Sequence, residues 1–304
     1  MPVHPDALVP PALREAILAW FAAHGRPLAF RATDDPYAVL VSELMAQQTQ
    51  AERAAEAWVA WIARWPTVGD LAAAPVSDVL RAWAGLGYNR RALALHRAAQ
   101  AIVSQHGGQV PGDIPALERL PGVGPYTARA VAAIAFGRPV GAVDTNVRRV
   151  LGRIAGAGGV GIMSGFALGS MQSLADAVVP EDAAATWTHA LMDVGATICT
   201  PRSPRCGDCP AVLWCRFAAG ERGEPSVLPK QRPRSAPFPS TRRWLRGRVL
   251  DRARSAQDAS WCAYPDAIGS HEPAAVREAV LALAREGLLE ARETPDGLEA
   301  RLPG

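Results

Sequence analysis

Apolar residues recur every three or four positions along most of the first 200 residues, the period of a helix with one buried face. The pattern runs through 13–24, 36–65, 76–87 and 90–107, resumes in 114–120, 125–137 and 145–158, and continues through 171–179 and 183–199. Pro36, Pro66, Pro75, Pro111 and Pro115 fall between these segments. A helix start or a turn tolerates the amide hydrogen that proline lacks. No run keeps the two-residue alternation of a half-buried strand, so the spacing predicts an all-α body. A stretch rich in Pro, Arg and Ser then interrupts the pattern. Beyond it, 244–256 and 271–290 read as helices, and 290–302 as a hairpin turning at Asp296-Gly297. Two helices and a two-stranded wing predict a small winged-helix-like domain. The chain is thus divided into a helical body at 1–220, a linker at 221–241 and a tail domain at 242–304.

With 304 residues of which 49% are hydrophobic, two buried cores are affordable and a disordered chain is excluded. No window approaches the roughly 20 apolar residues of a membrane span. The N-terminus lacks the basic-then-apolar order of a signal peptide, so a cytoplasmic protein is expected. A net charge of +3 permits an anionic partner without requiring one. Lys230 is the only lysine, which leaves nearly all positive charge on arginine. Five cysteines are too few for a disulfide framework, but Cys199, Cys206, Cys209 and Cys215 follow the spacing C-x6-C-x2-C-x5-C. Short loops holding Pro201, Pro204, Gly207 and Pro210 close those four thiolates around one centre. Thiolate chemistry suits zinc and a [4Fe-4S] cluster alike. Cys262 stands apart and reads as an ordinary small apolar residue.

Three further strings carry chemistry. Residues 120–128, LPGVGPYTA, place two glycines at a tight turn with a helix opening directly after it. Amides at a helix start, aided by the helix dipole, suit a phosphate. Some twenty residues on, Asp144 lies between an apolar run and a helix, where an aspartate ordinarily acts as a cap. In 42–50, SELMAQQTQ, Glu43 falls within an amphipathic pattern, where an acid is ordinarily solvated.

Together these strings resemble the iron-sulfur helix-hairpin-helix DNA glycosylases, the endonuclease III-like superfamily, and within it the MutY-type adenine glycosylases. The resemblance covers residues 12–220, with its specific motifs at 42–50, 85–91, 120–128, 143–150 and 199–215. It implies a helix-hairpin-helix glycosylase fold of two helical subdomains ending in an iron-sulfur loop, and it selects [4Fe-4S] over zinc at the four cysteines. Arg202, Arg205 and Arg216 would then contact phosphate beside the loop. Gly122, Val123 and Gly124 would form the phosphate-binding hairpin, with Asn146 a further DNA contact. Asp144 matches the active-site carboxylate that stabilises an oxocarbenium-like sugar. Glu43 matches the general acid that protonates adenine, a poor leaving group otherwise.

Tyr126 stands where bifunctional lyases carry a Schiff-base lysine. Tyrosine cannot form that imine, and residues 1–220 contain no lysine, which implies a monofunctional hydrolase. Gln48 and Tyr88 match residues that wedge beside the oxidised guanine, with Arg31 and Arg90 adding contacts. The expected activity is removal of adenine mispaired with 8-oxoguanine or guanine in double-stranded DNA. The expected protein is a monomer, nucleoid-associated when bound. The match has departures, since Ala46 replaces the usual leucine and Phe30 the usual tryptophan. The tail is shorter than the Nudix-like domain of many members and lacks its character. It carries Arg242, Arg243, Arg246, Arg248, Arg252 and Arg254, a basic helix suited to extra duplex grip. A thymine or uracil mismatch glycosylase of the same fold is opposed by Glu43 in its paired-glutamine string. A non-catalytic lesion-binding protein is opposed by the joint presence of Glu43, Tyr126 and Asp144.

Overall fold

The computed structural model describes residues 5–156, 168–220, 237–256 and 260–304. Most of the expected linker, 221–236, lies outside the described residues, as do the last two residues of the helical pattern at 145–158. The helices begin with α1 Pro5–Leu8, α2 Pro11–His24, α3 Pro36–Ala46, α4 Ala51–Arg64, α5 Val68–Ala73, α6 Val76–Ala82 and α7 Arg90–His106, and all of these but the short α1 and α5 fall where the apolar pattern predicts a helix. They continue with α8 Ile114–Glu118, α9 Pro125–Phe136, α10 Thr145–Ile154, α11 Leu168–Ala177 and α12 Ala184–Asp193. Proline opens α2 and α9 at the first turn, where its missing amide hydrogen has no intrahelical partner. Thr67 and Asp70 form a reciprocal capping box on α5, and Asp113 caps α8 through the Ala116 amide at 2.9 Å.

The single helical run expected over 36–65 is broken. The chain leaves α3 at Ala46 and re-enters a helix at Ala51, with Gln48 at φ 54. Both helices carry buried apolar residues, and periodicity does not report a local break in the backbone between them.

The chain divides into two compact units, each discontinuous in sequence. The first comprises Met1–Glu43, Gly112–Arg119 and Val123–Gln231. Its core joins Leu13 and Ile17 of α2, Val147, Val150 and Leu151 of α10, and Trp187 and Leu191 of α12. Burying each such side chain stabilises by roughly 1.5–3 kcal/mol.

The second unit comprises Leu44–Pro111, Leu120–Gly122 and Arg232–Gly304. Trp61 meets Trp65 and Trp83 edge-on, with ring centroids at 4.7 and 5.5 Å. Its tail is built from α13 Arg242–Ser255, α14 Pro273–Arg285 and the strands β1 Cys262–Ala263, β2 Glu290–Thr294 and β3 Gly297–Arg301. The sheet order is β1-β3-β2, antiparallel throughout, with Thr294 opposite Gly297. The hairpin loop is therefore Pro295-Asp296, one residue earlier than expected, and Gly297 opens β3 at φ 122. The two-residue β1 is too short to produce a periodic signal. This is a helical protein with a small C-terminal sheet, as the sequence predicts.

Candidate active site

Asp144 is the N-cap of α10. Its Oδ1 accepts the Val147 amide at 2.6 Å and its Oδ2 accepts Asn146 Nδ2 at 2.9 Å. The capping reading of this residue is therefore correct, and capping fixes both carboxylate oxygens in space. Glu43, on α3, is 7% exposed and does not sit on a solvated face. Burial pushes its carboxyl up to about 7, against a hydrogen bond with Tyr126 and the Arg31 charge, while Asp144 nearby pushes in the same direction as burial. Tyr126, at the second position of α9, is held well above its ordinary value by burial and by the two carboxyls, Glu43 and Asp144. Its hydroxyl lies 3.9 Å from Met192 Sδ on α12. Thus α3, α9 and α10 bring together the three residues singled out as catalytic. Two carboxyls in unlike environments, one held by two donors and one buried to titrate near neutrality, form an acid-base arrangement.

Behind this trio lies a network that sequence reasoning missed. The Asp193 side chain on α12 is fully buried. Its Oδ1 accepts from Arg31 Nη2 at 2.7 Å and Arg26 Nε at 2.8 Å, and its Oδ2 from Arg31 Nη1 at 2.8 Å and the Arg26 amide at 2.9 Å. Burial alone would raise this carboxyl, but the hydrogen bonds from Arg31 and Arg26 outweigh it and hold it below its ordinary value. Arg31, anticipated among the DNA contacts, is only 10% exposed and lies with its guanidinium 5.4 Å over the Phe21 ring. Its charge acts on Glu43. The one available signal was Asp193 itself, an acid at the end of an otherwise apolar helix.

The four cysteines line one small cavity with Arg153, Ile198 and Phe217. Arg153 donates from Nη1 to Cys199 Sγ at 3.2 Å and to Thr200 O at 2.9 Å, and from Nη2 to Pro201 O at 3.0 Å. Arg149 donates to Cys199 O at 2.6 Å, Gly195 O at 2.6 Å and Asn146 Oδ1 at 2.8 Å. Helix α10 therefore carries the Asp144 cap at one end and two arginines that hold the cysteine loop. Arg205, expected at phosphate, donates to Thr197 O at 3.1 Å and faces Asp208 at 3.5 Å. Among the described residues, no three His, Cys, Asp or Glu side chains converge as a single metal ion requires.

Among the described residues of the second unit, the non-glycine residues at positive φ are Gln48 and Tyr88, at 54° and 45°. Both were singled out from sequence as wedge residues. A left-handed backbone at a bulky side chain costs of order 1–3 kcal/mol and persists only where the surroundings enforce it. Arg91 enforces it here. One guanidinium nitrogen donates to Leu44 O at 2.8 Å, Met45 O at 3.0 Å and Gln47 O, capping the end of α3. The other donates to Thr49 Oγ1 at 3.0 Å, Leu86 O at 3.0 Å and Gly87 O at 3.1 Å. Arg90, by contrast, is exposed, with Glu286 at 3.7 Å. Gly122, at φ 80, lies so close to α7 that an added Cβ would sit 2.7 Å from Ala94 Cβ. Gly124 precedes α9 with no side-chain cap on that helix, and Val123 beside it is buried.

The tail arginines do not form a uniformly free basic face. Arg242 pairs with Glu278, Arg246 with Glu286, and both Arg248 and Arg254 with Asp251. Arg254 also donates to Leu80 O and Asn89 Oδ1. The balancing acids Glu278 and Glu286 lie on or just after α14, too far along the chain to be read against α13 in advance.

A family model described as HhH-GPD superfamily base excision DNA repair protein matches residues 41–160. An adenine DNA glycosylase of Mycolicibacterium smegmatis is 40% identical over 282 residues, covering 92% of this chain and 93% of that protein. One from Mycobacterium tuberculosis is 44% identical over 247 residues, 79% of this chain and 78% of its own. Among solved structures, a thermostable thymine-DNA glycosylase superposes with TM-score 0.62 at 29% identity, covering 68% of this chain and 95% of that one. A trapped endonuclease III-DNA covalent intermediate gives TM-score 0.57 at 23% identity, covering 69% and 94%, a likeness of fold.

Proposed function

Since this chain belongs to the adenine DNA glycosylases of the HhH-GPD superfamily of base excision DNA repair proteins, we propose that it hydrolyses the N-glycosidic bond of adenine mispaired with 8-oxoguanine or guanine, by a monofunctional route. The observation that carries the proposal is Glu43, a buried carboxyl titrating at about 7 and hydrogen-bonded to Tyr126 beside Asp144. In its protonated form Glu43 delivers its proton to the adenine ring. The glycosidic bond then breaks, its electron pair leaving with the base, and positive charge develops on the sugar beside the Asp144 carboxylate. Glu43, now ionised, accepts a proton from the water that adds to the sugar carbon. Tyr126 holds Glu43 in place. With no lysine in 1–220, no Schiff base forms on the body and the backbone is left intact.

We assign DNA contacts to Gln48, Tyr88, Arg90, Asn146 and the hairpin of Gly122, Val123 and Gly124. Arg31 acts from inside the first unit. The strained backbone at Gln48 and Tyr88 and the uncapped start of α9 support this reading. Cys199, Cys206, Cys209 and Cys215 would hold a [4Fe-4S] cluster. Four thiolates lining one cavity are the donor set that such a cluster takes. When bound, the cluster ties the loop segments together. The same assignment keeps 242–304 as a domain following a linker at 221–241, and the protein as a monomer on duplex DNA.

Single-turnover adenine release from 8-oxoguanine:A and G:A duplexes, run beside G:T and G:U, tests the assignment. Release confined to adenine is expected, and release confined to thymine or uracil would replace it with the mismatch reading. Binding without any base release would leave only a lesion-binding protein.

A further inference from the structure

The second unit contains a cavity of about 800 Å³ walled on one side by Gln48 and the loop at 85–91 and on the other by the tail helix α13, from Arg243 to Arg254. Seven arginines and one carboxylate, Asp251, line it, and three aromatic residues, Tyr88, Phe238 and Trp244, lie among them. Interleaved positive charge and aromatic faces fit an unstacked nucleotide with its phosphate.

Within this wall, Arg243 has a distinct arrangement. Its guanidinium lies 4.4 Å over the Tyr88 ring and donates to the Tyr88 hydroxyl at 3.1 Å. Among the described residues no ion pair involves it, whereas its neighbours Arg242, Arg246 and Arg248 each face an acid. Tyr88 is 42% exposed and Phe238 59%, so the stack is open to solvent. A guanidinium plane laid on a ring extends the flat surface on which a base can stack, while keeping donors at its edge.

We propose that Arg243 and Tyr88 together form a composite recognition element for the base opposite the excised one, with Arg243 a specificity-determining residue supplied by the tail. This rests on the glycosylase reading above and gives α13 a direct part in the same site. The stack takes one face of the opposite base, and the guanidinium edge donates to acceptors on that base.

The test measures binding to duplexes that carry a non-cleavable adenine analogue opposite guanine, thymine or an abasic residue, with wild-type adenine release assayed in parallel. Arg243→Ala is expected to weaken binding about tenfold opposite guanine and at most about threefold opposite the abasic residue, in proportion to a lost stacking surface. Arg243→Lys, which keeps the charge but not the plane, is not expected to restore the difference. Arg277→Ala removes an arginine paired with Glu293 away from the cavity and serves as the charge control. Equal loss on all three duplexes would reduce Arg243 to a phosphate contact and overturn the proposal, as would no loss at all. Arg243 is exposed, so the variant keeps its core. If wild type released no adenine while the base-dependent loss persisted, the glycosylase reading would fail and the recognition element would stand.

Discussion

Glu43 and Asp193 are both buried carboxyls, yet their environments push them in opposite directions. Glu43 gains a proton more readily in the folded state, so between its ordinary 4.5 and about 7 the native protein binds more protons than the unfolded chain. Stability falls as pH rises through that window, by on the order of 3 kcal/mol once Glu43 is ionised. Glu43→Gln removes this cost, so its melting temperature relative to wild type is expected to be higher at pH 8 than at pH 5. Adenine release by wild type should decline as pH rises through about 7, and the Gln variant should lose roughly a hundredfold or more. A flat rate profile across pH 6–8 would remove Glu43 as the acid. Asp144→Asn separates cap from chemistry. Asparagine caps a helix about as well as aspartate, so thermal stability should change by about 1 kcal/mol or less while base release is abolished and DNA binding is kept. Asp193 is the reverse case, since its stabilisation is present above its unfolded value and lost as pH falls through its lower native value. Asp193→Asn leaves Arg26 and Arg31 without their carboxylate and should cost about 3–5 kcal/mol at pH 7, a difference that narrows below pH 4.

At the scale of elements, the break between α3 and α4 illustrates how local pattern and backbone conformation part company. The apolar period carries through 36–65, but Arg91 binds the terminal carbonyls of α3 and holds the following turn to the loop at 86–87. Gln48 and Tyr88 are strained as a result. Substituting glycine at an ordinary position costs about 1 kcal/mol, whereas Gln48→Gly should be neutral or stabilising because it releases left-handed strain. A melting temperature at or above wild type, together with weaker mismatch binding, is the expected outcome. A clear loss of stability would show that Gln48 sits there without strain. Helix α10 performs a second bridging task. One end is capped by Asp144, and Arg149 and Arg153 along it hold the cysteine loop. Arg153→Ala is therefore expected to lower iron content in purified protein and the visible absorbance that accompanies it. Full iron occupancy in that variant would confine Arg153 to packing against Phe217.

For the molecule as a whole, chemistry written in contiguous strings was legible. The four cysteines sit a few residues apart, the Gly122-Val123-Gly124 hairpin is adjacent to its helix, and Asp144 caps the residues that follow it. Each depends on short-range backbone geometry, and that is encoded by neighbours in sequence. Helix positions were legible for the same reason, because periodicity is a local property. Other features depend on residues far apart in the chain. Glu43 reads as a solvated acid until α9 and α10 enclose it. Asp193 reads as one acid among many until Arg26 and Arg31, more than 160 residues earlier, reach it. The tail arginines read as a bare basic face until Glu278 and Glu286 supply partners and Arg254 turns inward to Leu80 and Asn89. Sequence alone thus determined where most of the helices form, which thiols cluster and which residues are candidates for the chemistry. Tertiary structure decided which of those residues are buried and which charges are already paired, since desolvation and pairing belong to a side chain's surroundings in space and not to its neighbours along the chain.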